Sequence, residues 1–330
     1  MSVLNGEKMT NSTKQVNVAE ECDGKCGSCS TSDDCNDHRK QQYEQEQKLK
    51  LRLSKIKHKI AVISGKGGVG KSTVTANLAM AFVMQGHRDK VGVLDADIHG
   101  PCIPKMLGLK GQTLIGGPGG MLFPVTGKLG IKVVSMDFVL PNDEAPVIWR
   151  GPLKMRAIQQ FLSDVTWGEL DYLFIDLPPG TGDESLSVMQ LIPDMDGVVI
   201  VTMPSEVSQA VVKKAVTFAK QMNVPIIGIV ENMSGFVCPD CGAKVDIFRT
   251  GGGKKIAEDL TVPYLGSIPI DPNICTDSDN GLPFIAENKT SPATKAFMEI
   301  VEKIQQFLEN TETARSKEIK NENMCKCNSK

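Results

Sequence analysis

Gly65-Lys66-Gly67-Gly68-Val69-Gly70-Lys71-Ser72-Thr73 follows an apolar, strand-like segment from Ile60 to Ser64 and opens a helix-like one. In that context the run reads as a phosphate-binding loop joining a strand to a helix. Its glycines let consecutive backbone N–H groups turn toward a phosphate chain, and the following helix adds the positive end of its dipole. In such a loop Lys71 reaches the β- and γ-phosphates and the Ser72 hydroxyl ligates Mg²⁺. The loop carries a further lysine, Lys66, which the minimal pattern G-x-x-x-x-G-K-[ST] does not require.

Outward from the loop, short β-branched runs alternate with longer helical patterns, which predicts an α/β fold with a doubly wound, mostly parallel sheet. The expected strands are Ile60–Ser64, Val91–Asp95, Ile131–Ser135, Tyr172–Asp176, Val198–Thr202 and Ile226–Val230. The expected helices are Lys71–Gln85, Gly151–Ser163, Ser185–Leu191, Glu206–Met222, Gly253–Leu260 and Ala293–Glu309. Before this domain (residues 59–309), Leu49, Leu53, Ile56 and Ile60 recur at helical spacing among lysines and arginine, predicting a basic amphipathic linker helix over residues 46–58. Residues 1–45 are too polar to fold unaided and are expected to form a flexible Cys-rich extension; residues 310–330 are expected to be a flexible polar tail.

The chain has 330 residues, 41% of them apolar, and a formal charge of −2. That is enough for a full core and gives no bulk electrostatic reason to expect a nucleic-acid or membrane partner. The polar N-terminus has no apolar h-region, and no window approaches the ~18 apolar residues of a membrane span, so a soluble, cytoplasmic protein is expected.

Several carboxylates fall just past strand ends, the edge where doubly wound sheets bind ligands. Asp176 closes Tyr172-Leu173-Phe174-Ile175-Asp176 and is placed to serve the Mg²⁺ shell. The Pro- and Gly-rich loop after it, through Asp183, is placed to sense a γ-phosphate. One of Asp95 and Asp97, in Asp95-Ala96-Asp97-Ile98-His99-Gly100-Pro101, is a candidate to orient an attacking water. His99 reads as a hydrogen-bonded loop residue rather than a base.

The ten cysteines are better read as metal or redox ligands than as a disulfide framework. Cys238-Pro239-Asp240-Cys241 supplies two thiolates where Zn²⁺ or an iron-sulfur cluster usually wants four, a number that a two-fold dimer would complete. From these residues alone, cluster and zinc stand level. Cys22, Cys26, Cys29 and Cys35 crowd fourteen positions of the extension, a metal-site signal because a bound ion can supply the missing ordering energy. No role is assigned to Cys102, Cys275, Cys325 or Cys327.

Taken together and in order, Lys66 to Ser72, Asp95 to Pro101, Ile175 to Asp183, Glu231-Asn232-Met233 and Cys238 to Cys241 resemble the Mrp/ApbC family of iron-sulfur cluster carriers. That family lies within the deviant Walker A ATPases that include MinD, and the similarity covers roughly residues 57–308. The resemblance implies a MinD-like P-loop NTPase that forms a homodimer with ATP at the subunit interface. It implies that Lys66 reaches the partner's phosphates while Lys71, Ser72 and Thr73 act in their own subunit. Asp97 would position the hydrolytic water, Asp95 and Asp176 would support Mg²⁺, and Asn232 would lie near the adenine. The resemblance further implies a slow ATPase that carries a [4Fe-4S] cluster, bridged by Cys238 and Cys241, from a cluster donor to apo iron-sulfur proteins. The N-terminal group matches the family's C-x2-C-x5-C portion at Cys26, Cys29 and Cys35 but not at Cys22, leaving a second cluster, zinc or a dispensable appendage open. Two other readings are a MinD-like positioning switch with structural zinc and a reductase like the nitrogenase iron protein. The first lacks an apolar targeting helix here, and the second takes its thiols from separated segments.

Overall fold

A computed structural model describes residues 37–140, 151–238 and 241–327, with side chains over 43–140, 151–238 and 241–314. The chain divides into two units, Met1–Gln47 and Lys48–Lys330. Cys22, Cys26, Cys29 and Cys35 lie outside the described residues.

In chain order the strands are β1 (Ile56–Ser64), β2 (Val91–Asp95), β3 (Ile115–Gly116), β4 (Leu122–Phe123), β5 (Val125–Thr126), β6 (Lys132–Ser135), β7 (Leu170–Asp176), β8 (Gly197–Thr202), β9 (Ile226–Glu231), β10 (Phe236–Val237), β11 (Lys244–Val245) and β12 (Tyr264–Ser267). The helices are α1 (Asp37–Leu53), α2 (Lys71–Met84), α3 (Ile103–Met106), α4 (Gly151–Ser163), α5 (Asp183–Leu191), α6 (Glu206–Gln221), α7 (Gly252–Leu260), α8 (Pro272–Asp279), α9 (Phe284–Glu287) and α10 (Pro292–Cys327). Eight strands form one sheet in the order β12-β9-β8-β1-β7-β2-β6-β5. All its pairings are parallel except that of β5 with β6. β3 with β4, and β10 with β11, form two small antiparallel hairpins.

The period of two along each central strand explains why the sheet is covered on both faces. Ile60 and Val62 of β1, Tyr172 and Phe174 of β7, and Val199 and Val201 of β8 join one core with α2 and the first turns of α10. Ala61 and Ile63, Leu173 and Ile175, and Val198 and Ile200 join the other, with α4 to α7. α2 is apolar around its whole circumference, and Val74 through Val83 are buried, so it is a core helix rather than a surface one.

Two boundaries differ from the sequence reading. α1 stops at Leu53, and Ile56 already belongs to β1, where it aligns with Leu170. The linker helix expected over residues 46–58 therefore gives way to strand: Leu49 and Leu53 keep helical positions in the core, while Ile56 and Ile60 are buried as sheet residues. A β-branched residue that can complete a ladder beside β7 gains more there than in an extra helical turn. At the other end α10 continues through Cys327, where a tail was expected from residue 310. Among its residues with described side chains, through 314, the last buried one is Leu308, which is what the apolar periodicity registers. The edge strands β5 and β12 are short and carry too little alternation to signal themselves.

Candidate functional site

β1, β7 and β2 are neighbours, and their parallel register brings three sequence motifs to one edge. Val62 aligns with Asp176 and Asp95 aligns with Asp176, so the loop leaving β1 arches over both carboxylates. Gly68 and Gly70 take φ of 78°, the left-handed region where a β-carbon is costly. At Gly70 a β-carbon would also overlap the Asn232 side-chain amide, which donates to the Val69 carbonyl at 2.9 Å. Gly65 lies so close to the backbone of Val211 in α6 that a β-carbon would sit 2.7 Å from its carbonyl oxygen.

Asp176 is fully buried and occupied on both oxygens. Ser72 Oγ donates to Oδ2 at 2.6 Å, Thr75 Oγ1 donates to Oδ1 at 2.7 Å, and Lys71 Nζ lies 2.7 Å from Oδ2. Asp95 is buried next to it, accepting from Ser135 Oγ at 3.2 Å and from the Ile103 N–H at 3.3 Å. Burial and the Asp176 carboxylate push the Asp95 carboxyl well above its ordinary 3.8, against the pull of Lys71. Asp97 is half-buried and is raised as well, chiefly by burial, with Lys71 opposing and Asp176 adding to the rise. The edge therefore gathers three carboxylates around one ammonium.

Lys66 is half-buried and makes no ion pair among the described residues; only its carbonyl is engaged, accepting from Ser64 Oγ at 3.0 Å. Asp183 is exposed at the start of α5, beyond the Gly180 N–H that bonds the Ser64 carbonyl at 2.9 Å. Thr73 is half-buried in the first turn of α2.

Asn232 leads away from the loop. Its neighbour Glu231 is buried and accepts from Ser234 Oγ, from the Gly251 N–H at 2.9 Å and from the Gly253 N–H, capping α7 with a negative charge. Six residues past Asn232, Cys238 and Cys241 occupy the hairpin of β10 and β11, which closes through Cys238 N–H to Ala243 O and Gly242 N–H to Cys238 O, both at 2.9 Å. Cys241 is exposed, and neither thiol is in a disulfide. Ile247 and Phe248, 51% and 43% exposed, extend an apolar surface beyond the hairpin, and a cleft of about 860 Å³ opens beside Cys238, between Ile270, Asp271 and Asn288. Among the described residues no group of three or more His, Cys, Asp or Glu side chains is arranged to hold a metal ion.

Cys102 is exposed near the carboxylate edge, its thiol raised by burial and by Asp95, Asp97 and Asp176. Cys275 is exposed on α8, far along the chain from either motif. The sequence reading missed Thr75, Ser135, Lys154 and Glu231. Thr75 was open to detection, one helical turn after Lys71 and so on the same face.

Residues 55–305 match the family described as ParA, NUBPL iron-transfer P-loop NTPase. An iron-sulfur cluster carrier protein of Methanocaldococcus jannaschii is 55% identical over 289 residues, covering 88% of this chain and 98% of that protein. One of Saccharolobus solfataricus is 53% identical, covering 80% of this chain and 88% of that protein. Among solved structures, a nucleotide-binding protein in complex with ADP from Archaeoglobus fulgidus is 44% identical, with a TM-score of 0.66 and coverage of 77% of this chain and 96% of that one. The MinD cell division protein of Aquifex aeolicus, 22% identical with a TM-score of 0.55 and covering 76% of this chain and 97% of that one, shares the fold. With its glycine loop arched over Asp176 and a family match that spans the whole sheet, the chain belongs to the NUBPL iron-transfer P-loop NTPases.

Proposed function

We propose that the chain is an ATP-hydrolysing homodimeric carrier whose cargo is a [4Fe-4S] cluster held between two copies and passed to apo-proteins. The observation that carries this reading is the pair Cys238 and Cys241 on an exposed hairpin beside apolar surface, two thiolates where a cluster needs four. A two-fold axis near the hairpin completes the set with the same pair and covers Ile247 and Phe248. The names of the relatives support the cargo, and the ADP in the Archaeoglobus fulgidus protein supports the nucleotide.

At the nucleotide edge, the loop residues 65–73 receive the phosphates, with Asn232 beside the base. The donors around Asp176 are a hydroxyl and carboxylates, hard oxygen ligands that fit Mg²⁺. Ser72, Asp176 and Asp95 would hold it, directly or through water, and bound there it neutralises phosphate charge. Lys71 exchanges the Asp176 oxygen for phosphate oxygen, Lys66 reaches the phosphates of the second copy, and Asp97 orients the water that attacks. Catalysis of this kind is mostly positioning and electrostatics, which the preset carboxylate edge supplies. Cys22, Cys26, Cys29 and Cys35 are proposed to bind a further metal group.

Anaerobic reconstitution of the full chain tests the cargo, with iron, sulfide and zinc counted per dimer after each cysteine group is replaced separately. Loss of four iron and four sulfide per dimer in Cys238→Ser/Cys241→Ser is the expected result. Equal iron and sulfide in wild type and that variant, with the N-terminal cysteines also replaced in both, overturns the bridging site.

A further inference from the structure

A buried ammonium outside the phosphate loop joins the loop leaving β2 to the head of α5. Lys154, on the first turns of α4, has a side chain 10% exposed, and its Nζ hydrogen-bonds His99 Nε2 and Glu184 Oε1. His99 lies two residues past Asp97, in the loop leaving β2; Glu184 is the second residue of α5, directly after the Pro- and Gly-rich loop leaving β7. His99 Nε2 and Glu184 Oε1 are themselves 3.7 Å apart. Three elements distant in sequence thus meet on one cation, in a place where a lysine side chain would otherwise reach solvent.

We propose that Lys154 is a positioning residue for ATP hydrolysis, clamping the Asp97 loop to the head of α5 so that the water-orienting carboxylate and the γ-phosphate loop hold one fixed geometry. This rests on the hydrolytic reading above. Two physical effects lead to it. The first is geometric: on its near side Asp97 is held by the Ala96 N–H, which bonds the Asp176 carbonyl of β7 at 2.9 Å, while its far side runs into the breakers Gly100 and Pro101 and is tied to a second element through His99. The second is electrostatic: the Glu184 carboxylate at the head of α5 is paired with the buried Lys154 ammonium, which lies against its Oε1. Loss of Lys154 would release His99 and leave the Glu184 charge facing the site uncompensated.

The test is steady-state ATP turnover by the full chain, with kcat and KM separated, for Lys154→Met, Lys154→Arg, Glu184→Gln and the double variant Lys154→Met/Glu184→Gln. Nucleotide affinity is measured in parallel by binding of ADP. Lys154→Met is expected to lower kcat at least about tenfold with ADP affinity within about twofold of wild type, the signature of lost positioning rather than lost binding. Lys154→Arg should recover part of the rate by restoring the cation. The double variant should be faster than Lys154→Met, because it also removes the charge left bare, a non-additivity that a purely structural lysine would not produce. A kcat for Lys154→Met within twofold of wild type overturns the proposal, as does an equal fall in kcat for single and double variants. If Lys154→Met does not fold, the exposed-end variant His99→Ala decides: unchanged kcat overturns the clamp, and a fall of severalfold with unchanged ADP affinity supports it. A wild type without any ATP turnover would overturn the hydrolytic reading and the clamp together, whereas active wild type with active Lys154→Met removes the clamp alone.

Discussion

At the nucleotide edge Asp176 is fully buried and both its oxygens are bound, by Ser72, Thr75 and Lys71, whereas Cys241 stands exposed on a hairpin made of two-residue strands. The first site is preorganised: its groups are fixed by the sheet and by each other before any ligand arrives, which is how electrostatic stabilisation avoids reorganisation during reaction. The second leaves its thiols on a surface hairpin, which on the proposed reading suits a cargo that must enter and leave. The contrast predicts that changes at the edge alter both fold and chemistry, while changes at the hairpin alter cargo and leave the fold alone.

The largest test of the contrast is Lys71→Met. Its ammonium neutralises the buried Asp176 and draws down Asp95, so its removal strands carboxylates in the core. Breaking a buried pair from one side costs about 3–5 kcal/mol, and urea denaturation should show a loss of that size together with abolished ATP turnover. A loss under about 1 kcal/mol would mean that the edge is held by its hydroxyl donors alone.

Next in size is Asn232→Ala, which probes the join between the two regions. The Asn232 amide is the donor to the buried Val69 carbonyl, and an orphaned buried acceptor costs about 1–3 kcal/mol. The variant should lose that much stability and bind nucleotide more weakly. Stability unchanged within error would show that the loop keeps its shape without this brace.

Most of this edge was legible in the sequence because it rests on local rules. A glycine loop needs left-handed backbone, and Gly68 and Gly70 have it; Asp95 and Asp176 ended apolar runs, and the parallel register set them side by side. What stayed hidden depends on tertiary meetings between segments. Lys154 occupies one position of an amphipathic helix, and nothing local says that its charge turns inward to Glu184 and His99. Glu231 read as part of a motif, but its role in capping α7 needs the chain twenty residues later. Ile56 fitted helical spacing and strand propensity equally, and β7 decided in favour of strand. The limit of the tail was misread for the complementary reason: apolar periodicity follows the buried positions of α10, the last of which among the described side chains is Leu308, and not the helix itself.

A third effect is graded by pH. In the ligand-free protein a carboxyl held above its unfolded value keeps its proton more tightly when folded, as Asp95 and Asp97 do. Their contribution therefore favours folding at low pH and is lost as pH rises from the ordinary 3.8 through the raised values, at no more than about 1.4 kcal/mol per unit for each proton. Asp196 works the other way. Burial pushes it up, but His58 and the Lys59 N–H outweigh that and hold it below 3.8, so its contribution is present above that value and fades as pH falls further. Denaturation midpoints of wild type and Asp95→Asn between pH 4 and 7 should separate these: the wild-type decline with rising pH should shrink in the variant. Parallel curves would place the penalty elsewhere.

The smallest effect on the fold belongs to the hairpin. Cys238→Ser/Cys241→Ser changes two thiols on a surface turn whose backbone bonds, Cys238 N–H to Ala243 O and Gly242 N–H to Cys238 O, do not involve sulfur. Surface replacements away from the core usually stay within about 0.5 kcal/mol, and the cargo-free variant should match the wild type to that degree in urea. With the N-terminal cysteines replaced in both and cargo loaded, the two proteins should diverge, since a ligand that binds only the folded state adds stability that grows with its concentration relative to its dissociation constant, and only the chain with Cys238 and Cys241 can gain it. The decisive comparison is thus a difference of differences: loading must stabilise the wild type and not the variant. A cargo-free variant destabilised by several kcal/mol would show that the thiols brace the hairpin themselves, and the contrast between a preset edge and an open, ligand-completed hairpin would fail.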